Sequence, residues 1–333
     1  MREESFKSFL EKIRHYEIPF NTVFEVTSRC NLSCIHCYQK QVNNELSFPE
    51  ISSILHQLKE AGCLKITFTG GEPTLRPDFM DIYCNAHEKD FAITLYTNGT
   101  LLTDDHIRLL AEKRPLAVEC SLHGATAHTH DGITQKTGSF DSTVLNLRRL
   151  KEAGVTVLSK TVVMTVNFPE LDLMTSLTEK LDIPLQKTFR LFATSDPHKS
   201  ISHLQLPAED IRKWAKNNPT DTASMNGEEN WDTDFLCRAG SDSCCVGADG
   251  TVYACTVLRM ACGNLKEQTF EKIWRDSPVL KKWRAVTEKD YPRCACCQWK
   301  KKCRFCPGMG FMEYGDPMIP SPELCRIAEA LWS

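Results

Sequence analysis

The stretch from Val23 to Tyr38, VFEVTSRCNLSCIHCY, carries three cysteines in a C-x3-C-x2-C spacing, Cys30, Cys34 and Cys37. Cysteine thiolates bind iron, and a four-iron cluster normally takes four of them, one for each iron. Three close cysteines would therefore leave one iron without a protein ligand, and an open metal position is where a substrate or cofactor can coordinate. A zinc knuckle and a group of buried thiols are the alternatives that the spacing leaves open.

The composition of the 333-residue chain is that of an ordinary globular protein, with 41% hydrophobic and 25% charged residues. Its net charge of -3 gives no electrostatic footprint for nucleic acid. No apolar run approaches the ~18 residues of a membrane span, and the charged N-terminus lacks the apolar core of a signal peptide. We therefore expect a cytoplasmic protein that binds neither nucleic acid nor membrane.

Seventeen cysteines are unusual for a chain of this length. In a reducing compartment such a number favours metal ligation over disulfides. Three belong to the opening motif and eleven lie between Cys237 and Cys325. The other three stand alone in apolar surroundings and are expected to be small buried hydrophobic residues: Cys63, Cys84 and Cys120.

Segments rich in strand formers alternate with segments of helical periodicity over the first two thirds of the chain. The predicted strands are 21–27, 64–69, 92–96, 116–122, 155–166 and 185–193. This alternation predicts a parallel sheet with right-handed crossovers, and six units are too few for a closed eight-stranded barrel. The predicted fold class is therefore α/β, a partial (β/α)6 TIM-like barrel that is open on one side.

The chain is predicted to divide into four parts. They are an N-terminal helix (1–20), the barrel (21–216), a polar linker or bridging loop (217–234) and a small cysteine-rich C-terminal domain with a β-hairpin and short helices (235–333). The hairpin is predicted from residues 245–246 and 251–254, because Asp249-Gly250 between them is a strong turn signal.

Four motifs directly follow predicted strands, and the C-terminal ends of barrel strands form the working face of such a fold. We therefore expect them to meet at one rim. They are the cysteine triad, Gly70-Gly71-Glu72-Pro73 (GGEP), Thr97-Asn98-Gly99 and the SLHG segment that begins at Ser121.

The cysteine triad together with GGEP resembles the signature of the radical S-adenosylmethionine (SAM) superfamily, whose fold is a partial barrel of this kind. The resemblance implies that the open iron binds the amino and carboxylate groups of SAM, which is cleaved reductively to a 5'-deoxyadenosyl radical. In GGEP the glycines would allow close backbone approach, and Glu72 would accept from the methionine amino group. The SAM contacts that the resemblance implies are Tyr38 (against the adenine), Gly70, Gly71, Glu72, Pro73, Asn98, Ser121 (near the SAM carboxylate) and Asn167.

One segment departs from the family pattern. Relatives often carry an arginine in an HDR-like triplet that pairs with the SAM carboxylate, where this chain has His130-Asp131-Gly132. Lys136 is the nearest cation, but a lysine offers no planar fork. His123, His128 and His130 are interpreted as solvated loop residues, with a role as proton shuttles as the alternative.

The cysteines from Cys237 onward resemble those of the SPASM domain, which carries auxiliary four-iron clusters behind a radical SAM barrel. Their pattern is C-x12-G-x4-C, then C-x2-C-x5-C-x2-C and a final cysteine, whereas the family has three residues before the last cysteine of the close group. The resemblance implies one cluster on Cys294, Cys297, Cys303 and Cys325, and another on Cys237, Cys255, Cys306 and, as the expected fourth ligand, Cys244.

Alternatives remain open in this region. Cys245 competes with Cys244 for the fourth position, although neighbouring residues of a strand face opposite sides. Two C-x2-C pairs would also suit a pair of zinc sites. Cys262 and Cys296 are left without a predicted role.

The resemblances together imply three four-iron clusters and SAM as cofactors, and an enzyme that oxidises its substrate. The leading hypothesis is oxidative modification of a peptide side chain or backbone, by crosslinking, decarboxylation or dehydrogenation, in the maturation of a ribosomally made peptide or a peptide-derived cofactor. A sulfatase-type maturase is disfavoured, because Thr256 stands where those enzymes have an aspartate after the glycine-motif cysteine. The catalytic acid or base is not identified by the sequence.

The expected partners follow from the same hypothesis. The segment before Asn21 is too short for a leader-recognition domain, so we expect a peptide substrate, a separate small leader-recognition protein and an electron donor of the flavodoxin or ferredoxin type. One alternative is an enzyme that acts on a small molecule or a tetrapyrrole. Another is a multi-cluster electron carrier without catalysis, which would need neither GGEP nor an open iron.

Overall fold

One sheet of nine strands organises the computed structural model, which describes residues 9, 11–13, 15–194, 200–225, 237–303 and 305–333. In chain order the strands are β1 (Asn21–Thr27), β2 (Lys65–Gly70), β3 (Ala92–Thr97), β4 (Ala117–Ser121), β5 (Val157–Val162), β6 (Leu185–Thr188), β7 (Ser243–Val246), β8 (Thr251–Tyr253) and β9 (Ala261–Asn264). Across the sheet they lie in the order β6-β5-β4-β3-β2-β1-β7-β8-β9. The first six strands pair in parallel, each with its neighbour in sequence, which confirms the predicted partial barrel.

Helices separate the parallel strands and continue through the C-terminal part. They are α1 (Phe48–Glu60), α2 (Phe79–Glu88), α3 (Asp104–Glu112), α4 (Ala127–Thr134), α5 (Ser139–Glu152), α6 (Leu171–Lys180), α7 (Ala208–Asn217), α8 (Pro219–Ser224), α9 (Phe270–Asp276), α10 (Pro278–Arg284), α11 (Pro292–Ala295), α12 (Pro307–Tyr314) and α13 (Pro322–Trp332). No helix in the described part of the chain is both long and apolar enough to cross a membrane.

The apolar faces of these elements form the core between the sheet and its helices. Helix α1 buries Ile51, Ile54, Leu55 and Leu58, the spacing of one helical face. Phe24 of β1 and Phe68 of β2 are fully buried beneath it, with ring centroids 6.4 Å apart. Because successive side chains of a strand point to opposite faces, Val23 and Glu25 of β1 point to the interior face of the barrel.

The C-terminal hairpin is not a separate small sheet. Strands β7 and β8 pair antiparallel, with Cys245 opposite Tyr253, as the turn signal at Asp249-Gly250 predicted. Strand β7 also pairs in parallel with β1, however, so the hairpin extends the barrel sheet beyond its first strand. A purely local signal could not show this pairing, because β1 and β7 are more than 200 residues apart in the sequence.

Three further expectations differ from the structure. The segment that carries His128 and His130, which were interpreted as loop residues, forms helix α4, and Thr126 begins this helix by accepting a hydrogen bond from the Thr129 N–H. Strand β6 ends at Thr188 rather than at residue 193. Part of the predicted linker is helix α8, and residues 226–234 of it lie outside the described residues, as does much of the predicted N-terminal helix, which is helical at 9, 11–13 and 15.

Gly71 is required by the close approach of two chain segments at the rim. Its N–H donates to the Thr27 carbonyl oxygen at 2.8 Å, and the next N–H, of Glu72, donates to the Arg29 carbonyl oxygen at 2.9 Å. A Cβ atom at Gly71 would lie 2.2 Å from that Arg29 oxygen. Because the obstacle is backbone, a larger residue would have to displace the segment that leads into the cysteine triad.

We predict that Gly71→Ala lowers the stability of the protein by about 1–3 kcal/mol, as overpacking against a fixed neighbour does. Gly132→Ala is the matched control, because nothing lies within 4 Å of a Cβ atom there. This glycine is inside helix α4, where alanine is favoured by up to about 1 kcal/mol. Urea unfolding midpoints of the two anaerobically purified variants check the prediction, and a similar shift in both would contradict it.

Candidate active site

The cysteine triad lies in the loop that follows β1, and two neighbours hold this loop at the rim. The Asn98 side-chain amide donates to Asn31 Oδ1 at 3.0 Å and lies 3.8 Å from Cys30 Sγ. On the other side, the Ser33 N–H donates to the Thr134 carbonyl oxygen at 3.1 Å, at the end of helix α4. Burial raises the pKa of Cys30, and the nearby Glu72 carboxylate adds to this effect. Cys30 and Cys34 are half-buried and Cys37 is exposed, so the triad is accessible to a metal cluster.

Glu72 of GGEP is fully buried and joins two of the rim motifs. Its carboxylate accepts hydrogen bonds from the Thr74 N–H at 3.1 Å, the Thr74 hydroxyl at 2.6 Å, the Thr97 hydroxyl at 2.7 Å and the Asn98 N–H at 2.7 Å. Burial raises its pKa, while these donors lower it. The carboxylate therefore fixes GGEP against Thr97-Asn98-Gly99, and the side chain of Asn98 in turn reaches the cysteine triad.

A cavity of about 480 Å³ opens inside the barrel next to this rim. Its lining includes His36 of the cysteine loop, Ser121 at the end of β4, His123 and Lys160 of β5. Residues 185–190, helix α8, Cys303 and helix α13 also contribute to the lining. The cavity is thus lined both by the loop that carries the cysteine triad, through His36, and by one of the C-terminal cysteines, Cys303.

The residues predicted to contact SAM occupy different positions relative to this cavity. Ser121 lies on its wall. The Tyr38 ring instead packs against Phe192, with 5.6 Å between ring centroids, and burial together with nearby Glu25 and Cys255 raises the pKa of its hydroxyl. Asn167 is buried, and its amide serves the backbone, donating to the His123 carbonyl oxygen at 3.1 Å and accepting from the Met164 N–H at 2.7 Å.

His36 is a cavity residue that the sequence analysis missed. His36 is directly before Cys37, whereas the predicted SAM contact was Tyr38, the aromatic residue directly after it. Its ring centroid lies 4.8 Å from that of His123 in an edge-to-face arrangement. A ring inside the C-x2-C segment was the signal that could have identified it.

The interpretation of the three histidines as solvated loop residues is wrong for two of them. His123 and His130 are buried, and only His128 is exposed. The His123 backbone N–H lies 3.1 Å from His130 Nδ1, which accepts its hydrogen bond. Burial lowers the pKa of His130 to about 4 and that of His123 well below its usual value. His130 is buried because residues 127–134 form helix α4, which carries this side chain inward.

The structure brings together the four cysteines expected for one auxiliary cluster. Burial raises the pKa of Cys294 to about 11, and the charges of Cys325 and Cys297 add to this. Burial likewise raises the pKa of Cys303 to about 12, against the opposing effect of Arg190, and Cys325, Cys294 and Cys297 raise it further. Clustered thiols of this kind favour metal binding, which takes up their thiolate forms and releases protons.

The other expected set is brought together in part. The pKa of Cys237 is raised to about 12 by burial, with Cys255 and Cys306 as its charged neighbours. Cys244, by contrast, packs against β1 with its sulfur 3.5 Å from the Thr22 hydroxyl, and that hydroxyl lies 3.4 Å from Cys63 Sγ. Cys244 therefore lies on the helix-covered face of the sheet, among Cys63 and Cys262.

Cys245 faces the barrel interior. It pairs with Val23 in the β1–β7 ladder, whereas Cys244 pairs with Thr22, so the two cysteines point to opposite faces. Glu25, Arg259 and Cys255 are the charged neighbours of Cys245, whose pKa burial raises well above its usual value.

An ion pair joins the hairpin side of the site to β1. Arg259, four residues after Cys255, pairs with the buried Glu25 carboxylate and lies 3.2 Å from Gln39 Oε1. Its guanidinium also lies 5.1 Å from the centre of the Tyr253 ring. These contacts connect the segment after the triad with the segment after Cys255.

Within the part of the chain that the structure describes, the cysteine groups do not form a site for a single metal ion. No three Cys, His, Asp or Glu side chains among the described residues converge closely enough to hold one ion. A four-iron cluster does not require such convergence, because each thiolate binds a different iron.

Comparisons with known proteins agree with this arrangement. Residues 24–175 match the radical SAM superfamily, and residues 237–304 match the SPASM iron–sulfur cluster-binding domain. The chain is 27% identical over 331 residues to the AdoMet-dependent heme synthase of Methanosarcina barkeri, covering 90% of this chain and 94% of the relative. It is 28% identical over 326 residues to the mycofactocin maturase MftC of Mycobacterium tuberculosis, covering 87% and 78%.

Among solved structures, Streptococcus suis SuiB bound to the precursor peptide SuiA superimposes with a TM-score of 0.71. The match covers 97% of this chain and 80% of SuiB at 17% identity, which is a likeness of fold. The two domain matches, with the cysteine triad at the rim, show that the chain contains a radical SAM domain followed by a SPASM iron–sulfur cluster-binding domain.

Proposed function

We propose that this protein is a radical SAM enzyme that oxidatively modifies a peptide side chain or backbone, using three [4Fe-4S] clusters. The observation that carries the proposal is the cavity, whose lining includes both His36 of the triad loop and Cys303 of the C-terminal cysteines. A substrate bound there would lie between the site of radical formation and the auxiliary clusters. The resemblance of fold to SuiB, a protein bound to its precursor peptide, supports a peptide as the substrate.

SAM and iron–sulfur clusters are the cofactors of this combination of domains. When bound, SAM and its cluster supply a 5'-deoxyadenosyl radical that abstracts a hydrogen atom from the substrate. Cys30, Cys34 and Cys37 would hold that cluster, and two observations support this role: none of the three is fully buried, and His36 of the same loop lines the cavity. Ser121 and His36 would contact SAM from the cavity wall, while Glu72 and Asn98 would orient the rim through their mutual hydrogen bond.

The auxiliary clusters would accept or relay the electron that leaves the substrate. One would bind Cys294, Cys297, Cys303 and Cys325, the set that the fold groups. For the other we propose Cys237, Cys255, Cys306 and Cys245, in place of the expected Cys244. The support is the pleat of β7, which directs Cys245 toward Cys255 and Cys244 toward the core.

A second candidate function is modification of a small molecule or tetrapyrrole. It is favoured by the AdoMet-dependent heme synthase relative, whose match extends over 94% of that protein. Both functions share the radical chemistry and differ in what enters the cavity.

The partners are part of the same proposal. A separate small leader-recognition protein would present the peptide, and a flavodoxin or ferredoxin would reduce the first cluster. A cytoplasmic location is part of the proposal, because a chain with seventeen cysteines, eleven of them proposed cluster ligands, suits a reducing compartment.

We predict that the anaerobically reconstituted protein forms 5'-deoxyadenosine from SAM when dithionite is added. Cys34→Ala should abolish this, because only two thiolates of the triad remain. Cys296→Ala is the control, since this exposed cysteine belongs to neither proposed auxiliary set. A fully iron-loaded protein that forms no 5'-deoxyadenosine would favour the electron carrier.

The substrate class is tested separately, by co-expression with short peptides encoded beside the gene and by incubation with an iron porphyrin bearing propionate groups. Mass spectrometry is expected to show a peptide that has lost two hydrogens or a carboxyl group, with the porphyrin unchanged. Conversion of the porphyrin alone would select the second candidate function.

The assignment of Cys245 is tested against its neighbour. We predict that Cys245→Ala lowers the iron content by up to about four of about twelve atoms, or changes the EPR spectrum of one reduced auxiliary cluster if three thiolates retain it. Cys244→Ala should change neither, because its sulfur packs against Thr22 on the other face. Cys255→Ala serves as the positive control, and the reverse outcome for the two neighbours would refute the assignment.

A further inference from the structure

This chain has no arginine at the position where the family pattern places the partner of the SAM carboxylate, so another residue must take that role. The assignment of that residue rests on the proposed function, in which the cavity binds SAM. The cation suggested by the sequence, Lys136, is exposed just beyond helix α4. It lines a shallow surface depression together with His128 and Gln135, and that depression shares no described residue with the cavity.

Among the described residues, three lysine or arginine side chains line the cavity, and two of them interact with other groups. Lys187 is paired with Asp221, at 2.6 Å, and its side chain is 8% exposed. Arg190 lies near Cys303 and Cys306, where its charge opposes the rise in their pKa values. Of the three described cations this leaves Lys160, which lines the cavity together with Ser121 and His36.

Lys160 and Ser121 are direct neighbours in the sheet. They form a register pair between β5 and β4, so both side chains point to the same interior face. Ser121 is the residue that the resemblance places near the SAM carboxylate. A carboxylate that reaches the Ser121 hydroxyl would therefore also lie within reach of the lysine.

Two neighbours fix the Lys160 ammonium in position. Its nitrogen lies 3.3 Å from the Tyr96 hydroxyl and 4.3 Å from the centre of the Tyr96 ring, and it pairs with Glu119. Burial lowers its pKa, but Tyr96 and Glu119 outweigh this, so the pKa is raised and the group stays charged. An ammonium has three N–H donors, and these two partners account for two of them among the described residues.

We propose that Lys160 binds the carboxylate of SAM beside Ser121, in the role that the family pattern gives to an arginine on the following loop. The ammonium is a single point of charge, so the hydroxyl and the lysine together replace a planar fork. Glu119 and Tyr96 hold the ammonium in place, and its third N–H is left for the ligand in the cavity.

The test is the affinity for SAM itself, measured by equilibrium dialysis with the reconstituted protein and radiolabelled SAM. Lys160→Met is expected to weaken binding by about tenfold or more, as loss of one partner of a partly buried charge pair does. Lys136→Met should bind SAM as the wild type does. Equal affinity in Lys160→Met and the wild type, or weakening by Lys136→Met in its place, would overturn the proposal.

Decarboxylated SAM shows whether the lysine acts on the carboxylate. The wild type should bind it more weakly than SAM, and Lys160→Met should bind the two alike. If Lys160→Met weakens both ligands by the same factor, the lysine acts on the structure of the site and the proposal fails.

Two further variants separate direct contact from side effects. Lys160→Met/Glu119→Gln removes both members of the ion pair, so no stranded carboxylate can repel the ligand, and it should still fail to distinguish SAM from decarboxylated SAM. Lys160→Arg keeps the charge and should retain the distinction, which tests the proposal even if the methionine variant folds poorly. If the iron-loaded wild type binds no SAM at all, the proposed function fails before this inference is reached.

Discussion

Strand β1 is hydrogen-bonded on both edges, in parallel, to β2 and to β7. This double pairing is the constraint on which the rest of the arrangement depends. From β2 the chain leads into GGEP, from β1 into the cysteine triad, and β7 carries Cys245. Because parallel strands end at the same edge of a sheet, three segments remote in sequence meet at one rim. The buried Phe24 and Phe68 anchor this part of the sheet beneath helix α1.

The rim itself is held by buried polar groups that have partners. The Glu72 carboxylate accepts four hydrogen bonds inside the protein, which offsets the cost of burying a charge. Gly71 allows its segment to reach the β1 carbonyl groups, a contact that a side chain would block. The position of the cysteine triad therefore depends on hydrogen bonds from GGEP and Asn98 as well as on the cluster loop itself.

The sequence was sufficient for those features that are local in origin. The six parallel strands, the turn at Asp249-Gly250 and the rim position of the four motifs follow from periodicity and strand-end position. The burial of His130 could not be predicted, because it depends on helix α4, whose apolar residues are few and whose segment contains a glycine. The different surroundings of Cys244 and Cys245 depend on the partner of β7, which no local pattern specifies. The position of Lys160 beside Ser121 likewise depends on the register of β4 and β5.

The continuity of the sheet across the two domains has a consequence for the proposed electron transfer between the clusters. A hinge between a catalytic domain and an electron-accepting domain would let their separation vary during turnover. Here β1 and β7 share a hydrogen-bonded ladder, and the Arg259–Glu25 ion pair bridges the same junction. The tunnelling distance between the redox centres would thus be set when the chain folds, and would stay constant from one catalytic cycle to the next.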